Sequence, residues 1–256
     1  MFLKLFIFAN HYQFVQQKYI MIKQKLFLGL FFTIILTTAF AQKSVNQFDN
    51  EGQRHGLWTK NYHKTDQKRY EGVFKNGKEI DSFKYYTLSN GKSVLSAVKV
   101  FKENYRLADV TFFTSNKKVI SEGMMNGRLY IGKWIFYHKN SITEMIVENY
   151  NTEGLLEGER FVYYKNGLVG EKAFYKNGKL NGEAKWFSEK SILLRVNTYK
   201  NDALHGKSIN YDSAGNITSE GHYIEDQKKG IWNYYKDGEL TKEIDHTNQK
   251  VISKKE

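Results

Sequence analysis

Two residue types are missing from this chain of 256 residues, which contains neither cysteine nor proline. The absence of cysteine excludes disulfides, thiolate metal sites and a cysteine nucleophile. The absence of proline excludes proline-rich linkers. The chain has 20 glycines and 16% aromatic residues. This composition is not typical of a disordered chain.

Acidic residues are absent from residues 1–41, which carry Lys4, Lys18, Lys23 and Lys25. An apolar run over 26–36 precedes the small residues Ala39 and Ala41. This order predicts a helical signal peptide at 21–41, cleaved between Ala41 and Gln42. Counted to Ala41, the run is shorter than the roughly 20 residues that span a bilayer. We therefore expect an exported protein that is periplasmic, outer-membrane-associated or secreted, and membrane-bound only through an uncleaved signal segment.

Met21 alone begins a complete signal peptide, so residues 1–20 form a doubtful upstream extension. The sequence leaves open whether translation begins at Met1 or at Met21. The full chain has a formal net charge of +12. Part of this charge lies in the signal region, and acidic residues are interspersed through the remainder. Nucleic acid is therefore not an expected partner.

Glycines recur at a fixed period in the mature chain. Gly158, Gly182, Gly206 and Gly230 are spaced by 24 residues, and aromatic residues follow each at similar offsets. Such self-similarity indicates a repeat architecture. We call the recurring position the anchor of each unit. The eight anchors are Gly56, Asp81, Ala108, Gly132, Gly158, Gly182, Gly206 and Gly230, where Asp81 and Ala108 replace glycine.

Each unit reads as two short strands separated by turns. Six Asn-Gly dipeptides, at 76–77, 90–91, 126–127, 166–167, 177–178 and 181–182, mark the turns. Asn-Gly favours a type I′ hairpin turn because both central residues need positive φ. The sequence therefore predicts an all-β protein, an elongated ribbon of about eight stacked antiparallel hairpins over 42–245. Residues 246–256 are predicted to form a charged C-terminal tail.

The repeated units resemble the variant MORN repeat. The resemblance is carried by 175–182 (YKNGKLNG), 48–58 and 228–238, which combine an Asn-Gly or Asp-Gly turn, an anchor glycine and paired aromatics. It implies a MORN-like sheet of stacked hairpins that mediates interaction or scaffolding without catalysis or cofactors. Some bacterial members are labelled antitoxins of toxin–antitoxin systems, and eukaryotic relatives are linked to phospholipid association.

Residues with catalytic potential recur too regularly to form one active site. Glu71, Glu122, Glu148, Glu171 and Glu220 return near the start of the second strand, whereas a glycosidase needs one unique carboxylate pair. His55 and His205 both precede an anchor, which suggests a turn role. We expect these glutamates to form cross-strand pairs with lysine. No enzyme activity, cofactor or metal site is predicted.

Aromatic pairs at the end of each first strand point to opposite faces of the sheet. One set forms the core, and the other offers a contact surface for a protein partner in the envelope. The candidate contact residues are Tyr137, Tyr164, Phe187, Tyr211 and Tyr235. Glycan or anionic-lipid binding is a second hypothesis, supported by lysines beside the turns. An antitoxin-like role is a third, which export would disfavour.

Signal-peptide cleavage makes a direct prediction about the mature N-terminus. Because Ala39 and Ala41 precede Gln42, intact-mass analysis of protein recovered from the envelope or medium should give a chain that begins at Gln42. A mature chain that retains residues 21–41 would contradict export by cleavage.

Overall fold

The structure is a computed structural model that describes residues 44–102 and 106–254. The predicted signal peptide and its cleavage site lie outside the described residues. Apart from its repeat units, the chain divides into two structural units, Met1–Val45 and Asn46–Glu256. The second unit contains eighteen described strands: β1 Gln47–Phe48, β2 Arg54–Asn61, β3 Lys68–Lys75, β4 Lys78–Ser89, β5 Lys92–Phe101, β6 Leu107–Phe113, β7 Val119–Asn126, β8 Leu129–Tyr137, β9 Glu144–Tyr150, β10 Gly158–Tyr163, β11 Val169–Lys176, β12 Lys179–Phe187, β13 Leu193–Lys200, β14 Ala203–Tyr211, β15 Ile217–Ile224, β16 Gln227–Lys236, β17 Glu239–Asp245 and β18 Lys250–Lys254.

The strands form one antiparallel sheet in which each strand from β2 to β17 pairs with the strands before and after it in the chain. This confirms the all-β class and the hairpin repeat. Eight hairpins supply sixteen strands, and β1 and β18 add one strand at each edge. Within the described ranges no helix is formed, and so none is long and apolar enough to cross a membrane.

Anchor glycines sit at β-bulges in the first strand of each unit. At Gly182, the register passes from Ala173↔Ala184 to Tyr175↔Leu180, so three residues of β12 face Phe174 alone. The anchor has φ of 107°, a conformation that glycine adopts without steric cost. Six of the anchors are glycines of this kind, which explains why glycine recurs with the period of the repeat.

The two units without an anchor glycine behave differently. Asp81 adopts a φ of 53° and keeps the bulge between β3 and β4. Ala108 lies in an unbroken register, Val100↔Asp109 followed by Phe101↔Ala108, and its φ is not positive. Aspartate tolerates the left-handed region better than alanine does. The bulge is therefore lost only at Ala108, whose side chain disfavours the positive φ that the bulge requires.

Nearly all buried side chains lie on one side of the sheet, which we call the core face. The residue two positions after the anchor is buried in seven units: Trp58, Phe83, Val110, Trp134, Ala184, Ser208 and Trp232. Large rings there lie against a glycine of the preceding strand. A β-carbon on Gly123 would lie 2.5 Å from the Trp134 ring, and one on Gly221 would lie 2.3 Å from Trp232. The ring therefore packs on bare backbone.

Indole groups on the core face also satisfy backbone acceptors near the bulges. Trp134 Nε1 donates to Met124 O at 2.9 Å, and Trp232 Nε1 donates to His222 O at 3.1 Å. Each acceptor follows the glycine on which the ring rests. A buried indole N–H needs such a partner, and the bulge supplies it by interrupting the backbone ladder.

Only some of the Asn-Gly pairs form the predicted type I′ turn. Positive φ occurs at both residues of 76–77, 90–91 and 177–178, as the type I′ prediction requires. Elsewhere the prediction is wrong: 126–127 places only Gly127 at positive φ, Gly167 closes a longer loop, and Gly182 lies inside β12. The pairs Asn201-Asp202 and Glu225-Asp226 adopt the same double positive φ without glycine.

The segment predicted as a charged tail is part of the sheet. β18 pairs with β17 through Asp245↔Lys250, Ile244↔Val251 and Lys242↔Lys254. The Asp245 carboxylate accepts hydrogen bonds from the backbone N–H groups of Thr247 and Asn248, which closes the turn before β18. The sequence did not indicate this strand, because its apolar centre, Val251 and Ile252, is short and lies between charged residues.

Introducing glycine at the two degenerate anchors should have opposite effects on stability. Asp81→Gly should raise the free energy of unfolding by about 0.5–1 kcal/mol, because glycine relieves the left-handed strain. Ala108→Gly should lower it by about 0.5–1 kcal/mol, because this backbone gains only flexibility. Urea denaturation of both variants provides the measurement, and a shift of the same sign in both would contradict the assignment of the bulges.

Candidate functional site

Aromatic side chains form a row on the side of the sheet opposite the core face, which we call the open face. The row occupies the fifth position after the anchor in seven consecutive units: Tyr86, Phe113, Tyr137, Tyr163, Phe187, Tyr211 and Tyr235. All seven side chains are half-buried. Successive members are two strands apart, or roughly 9.6 Å. We call these seven residues the aromatic row.

The direction of the row follows from alternation along the first strand of each unit. A second register shift lies beside the row residue, for example between Phe136 and Tyr137 and between Tyr234 and Tyr235, but its extra residue belongs to the partner strand. Phe136 packs beside Trp134 on the core face, with ring centroids 6.1 Å apart. Tyr137 therefore points to the open face, because successive residues of a strand alternate.

Four of the five predicted contact residues belong to the row, namely Tyr137, Phe187, Tyr211 and Tyr235. Tyr164 does not, because it is six residues after Gly158 and lies past the end of β10. Its counterpart in the row is Tyr163. The sequence analysis also missed Tyr86 and Phe113, which the same count from Asp81 and Ala108 would have found.

Glutamates of the preceding strand hold three of the row tyrosines by their hydroxyl groups. Tyr86 donates to Glu71 Oε1 at 2.6 Å, Tyr137 to Glu122 Oε1 at 2.6 Å, and Tyr235 to Glu220 Oε1 at 3.0 Å. Each pair is separated by 15 residues. This repeated contact fixes the orientation of the ring and leaves its face available.

In two of these pairs, Glu71–Tyr86 and Glu220–Tyr235, the pKa of the glutamate is lowered and that of the tyrosine is raised. Burial, followed by the hydrogen bond to glutamate, raises the pKa of Tyr86 and of Tyr137 to about 12. The Tyr235 hydroxyl, ahead of Lys207, lowers the pKa of Glu220. For Glu71, Lys68 is the larger cause of a lowered pKa and Tyr86 the second. At neutral pH Glu71 and Glu220 are thus charged acceptors, and Tyr86 and Tyr137 are neutral donors.

The recurring glutamates therefore fall into two sets, which the sequence analysis did not separate. Glu71 and Glu220 lie on the open face and also approach lysine, Glu71 reaching Lys84 at 4.0 Å and Glu220 reaching Lys207 at 3.2 Å. The predicted pairing with lysine is confirmed for these two. Glu122 bonds tyrosine, while Glu148 and Glu171 lie on the core face.

Glu148 and Glu171 flank Arg160, which occupies the core position of its unit. Arg160 Nε donates to Glu148 Oε1 at 2.9 Å, and its Nη1 donates to Glu171 Oε1 at 2.7 Å. The remaining carboxylate oxygens accept from Tyr150 and Trp186. All four oxygens are thus satisfied within the chain, so this network serves the fold.

Side chains six positions after the anchor tie three of the units to the next unit. Tyr62 OH donates to Tyr86 O at 2.7 Å, and Tyr164 OH donates to Phe187 O at 2.7 Å. His138 Nε2 lies 2.9 Å from Tyr163 O. All three acceptors are backbone carbonyls of the aromatic row. The row is therefore fixed through its backbone as well as through its hydroxyl groups.

Charged groups beside the row are largely neutralised in pairs. Lys172 meets Glu159 at 2.6 Å, and Lys185 meets Glu183 at 2.9 Å. Lys172 also lies over the Phe161 ring, 5.3 Å from its centroid. Paired charges around partly exposed rings are typical of the polar rim and aromatic centre of a protein interface.

The histidines predicted at turns lie in strands. His55 is in β2 and His205 in β14, each directly before the bulge. His205 Nδ1 lies 3.2 Å from Glu225 Oε1. Over 44–102 and 106–254, no three His, Asp or Glu side chains come close enough together to hold a metal ion.

A comparison with protein families finds the MORN repeat variant at residues 204–225. The match confirms the predicted family resemblance. It covers β14 except Ala203 and all of β15, the two strands of the unit anchored at Gly206. No curated protein matches the chain.

Raising the pH should ionise Tyr86 and Tyr137 late and then lower the free energy of unfolding. The folded pKa of these two tyrosines, about 12, exceeds the ordinary value of 10.0. Their contribution is therefore complete below about pH 10 and is lost as the pH rises through 12. Ultraviolet titration of tyrosinate should show Glu122→Gln lowering the pKa of Tyr137, with Tyr137→Phe identifying the transition. An unchanged pKa would contradict the Glu122–Tyr137 bond.

Proposed function

We propose that this chain is an exported, non-catalytic repeat protein that binds a protein partner in the cell envelope through the aromatic row. The observation that carries the proposal is the row itself: seven half-buried rings on the face opposite the core. Export is supported by the signal-peptide pattern at 21–41.

Recognition rests on rings that are already positioned before the partner binds. Glutamate bonds hold the side chains of three row residues, and the contacts six residues after the anchor hold the backbone of three, so these residues lose little freedom on binding. Tyrosine and phenylalanine supply large contact areas with few rotatable bonds. A partner that covers several units gains from many modest contacts along one rigid surface.

Removing three neighbouring rings tests the proposal. Tyr163→Ala/Phe187→Ala/Tyr211→Ala removes consecutive row members whose hydroxyl groups, where present, do not bond a glutamate. Residues 42–256 carrying this change should lose at least tenfold in affinity for the partner captured from an envelope extract by the unaltered chain. Surface plasmon resonance with that purified partner gives the measurement.

A matched control keeps the rings and removes only hydroxyl groups. Tyr86→Phe/Tyr137→Phe/Tyr235→Phe should bind within about threefold of the unaltered chain, because the ring faces provide the contact. Circular dichroism must show both triple variants folded. Undiminished binding by the folded alanine variant would exclude the row as the interface.

A further inference from the structure

Three lysines lie on the core face in the last three strands of the sheet, Lys228 in β16, Lys242 in β17 and Lys254 in β18. Tyr234 of β16 is the register partner of Lys242 of β17, and Lys242 is the register partner of Lys254 of β18. Lys228 Nζ lies 3.2 Å from Tyr234 OH and 4.0 Å from the centroid of the Trp232 ring. Cross-strand partners share a face, so these groups form one cluster.

The placement of Lys242 opposite Lys254 is unusual for a sheet, since like charges in directly opposed positions repel. Within the described ranges, neither lysine lies within 4.0 Å of a carboxylate, and nor does Lys228. Three other lysine pairs are directly opposed: Lys75↔Lys78 and Lys176↔Lys179 flank tight hairpin turns, and Lys172↔Lys185 is neutralised by Glu159 and Glu183. Among the described residues, Lys242↔Lys254 is thus the opposed lysine pair that lies away from a hairpin turn and has no carboxylate within 4.0 Å.

His246 packs beside Tyr234 and Trp232 of the same cluster, and the charges of two of the lysines affect its pKa. Its Nε2 is 3.2 Å from Tyr234 OH, and its ring centroid is 6.0 Å from that of Trp232. Burial first, then Lys228 and Lys242, lower the pKa of His246, against the opposing effect of Asp245. The Asp245 carboxylate is engaged by backbone and side-chain N–H groups of the following turn.

We infer that Lys228, Lys242 and Lys254 form a binding site for a phosphate group. Three ammonium groups match the two charges and several oxygens of a phosphate monoester better than the single charge of a carboxylate. Lys228 is already positioned by Trp232 and Tyr234. The site lies on the core face, opposite the aromatic row, and does not depend on the proposed partner surface.

Binding at this site must be coupled to the ionisation of His246. A bound dianion offsets the field of Lys228 and Lys242, so it favours the imidazolium form. By linkage, an anion that raises the pKa of His246 binds more tightly as the pH falls through that pKa. This coupling gives a readout that a purely structural role of the lysines would not produce.

The test uses two probes and two double variants. Inorganic phosphate is titrated at constant ionic strength while NMR follows the pKa of His246, and vesicles of phosphatidic acid are compared with vesicles of phosphatidylcholine in sedimentation. Lys242→Gln/Lys254→Gln removes the opposed pair at the site. Lys172→Gln/Lys185→Gln is the matched control, because it removes the neutralised pair.

We expect phosphate to raise the pKa of His246 in the unaltered protein and in the control. In Lys242→Gln/Lys254→Gln the upward shift should disappear, and binding to phosphatidic acid should weaken roughly 30-fold, as expected for two lysines near an anionic surface. A response to free phosphate identifies a soluble ligand as sufficient. A response to vesicles alone assigns the site to a lipid headgroup. Absence of both responses, or equal losses in the two double variants, would overturn the inference.

Discussion

Packing of a large ring onto a glycine of the neighbouring strand is the contact on which this sheet depends. A single layer has no second layer against which to bury side chains, so each unit must form its core from its own backbone and rings. The ring of Phe83 packs on Gly72, that of Trp134 on Gly123 and that of Trp232 on Gly221. A β-carbon on any of these glycines would lie only 2.3–2.5 Å from the ring. Apolar area is thereby removed from water without a covering layer.

This arrangement assigns different roles to the two faces. Among the residues that the structure describes, eleven of the twelve buried apolar side chains lie on the core face, and Val147 is the exception. The row residue lies three positions after the core position of the same strand, for example Tyr137 after Trp134, so alternation along the strand places it on the open face. The aromatic row is therefore a geometric consequence of how the core is built.

The middle of the array departs from this pattern. Arg160, Ala184 and Ser208 replace large core rings in three successive units, and Arg160 is held between Glu148 and Glu171. Ser208 Oγ donates to Asn197 Oδ1 at 2.8 Å in the same buried line. A satisfied ionic network contributes little net stability compared with an apolar core, and a change of register would leave its charges unpaired. We interpret this region as one that fixes strand alignment between the aromatic clusters.

Much of the fold was predictable because the anchors and the aromatics that follow them recur with the period of the repeat. The bulge at the anchor could not be predicted, because Asn181-Gly182 has the sequence of a hairpin turn and only the pairing of Leu180 with Tyr175 shows otherwise. Adjacent tyrosines 163 and 164 could not be assigned to faces for the same reason: the register shift lies next to Tyr163. The pairing of Lys242 with Lys254 needed the strand β18, whose charged ends resemble a tail.

The division between a core face and a recognition face can be tested by mapping the footprint of the partner on the sheet. Cross-saturation NMR of the complex, with the aromatic side chains of the repeat protein labelled, would report which rings lie within contact distance of the partner. The account predicts transfer to successive members of the aromatic row, including Tyr163, Phe187 and Tyr211, and none to Trp134 or Trp232. Transfer centred on core-face rings or confined to the edge strand β18 would contradict it.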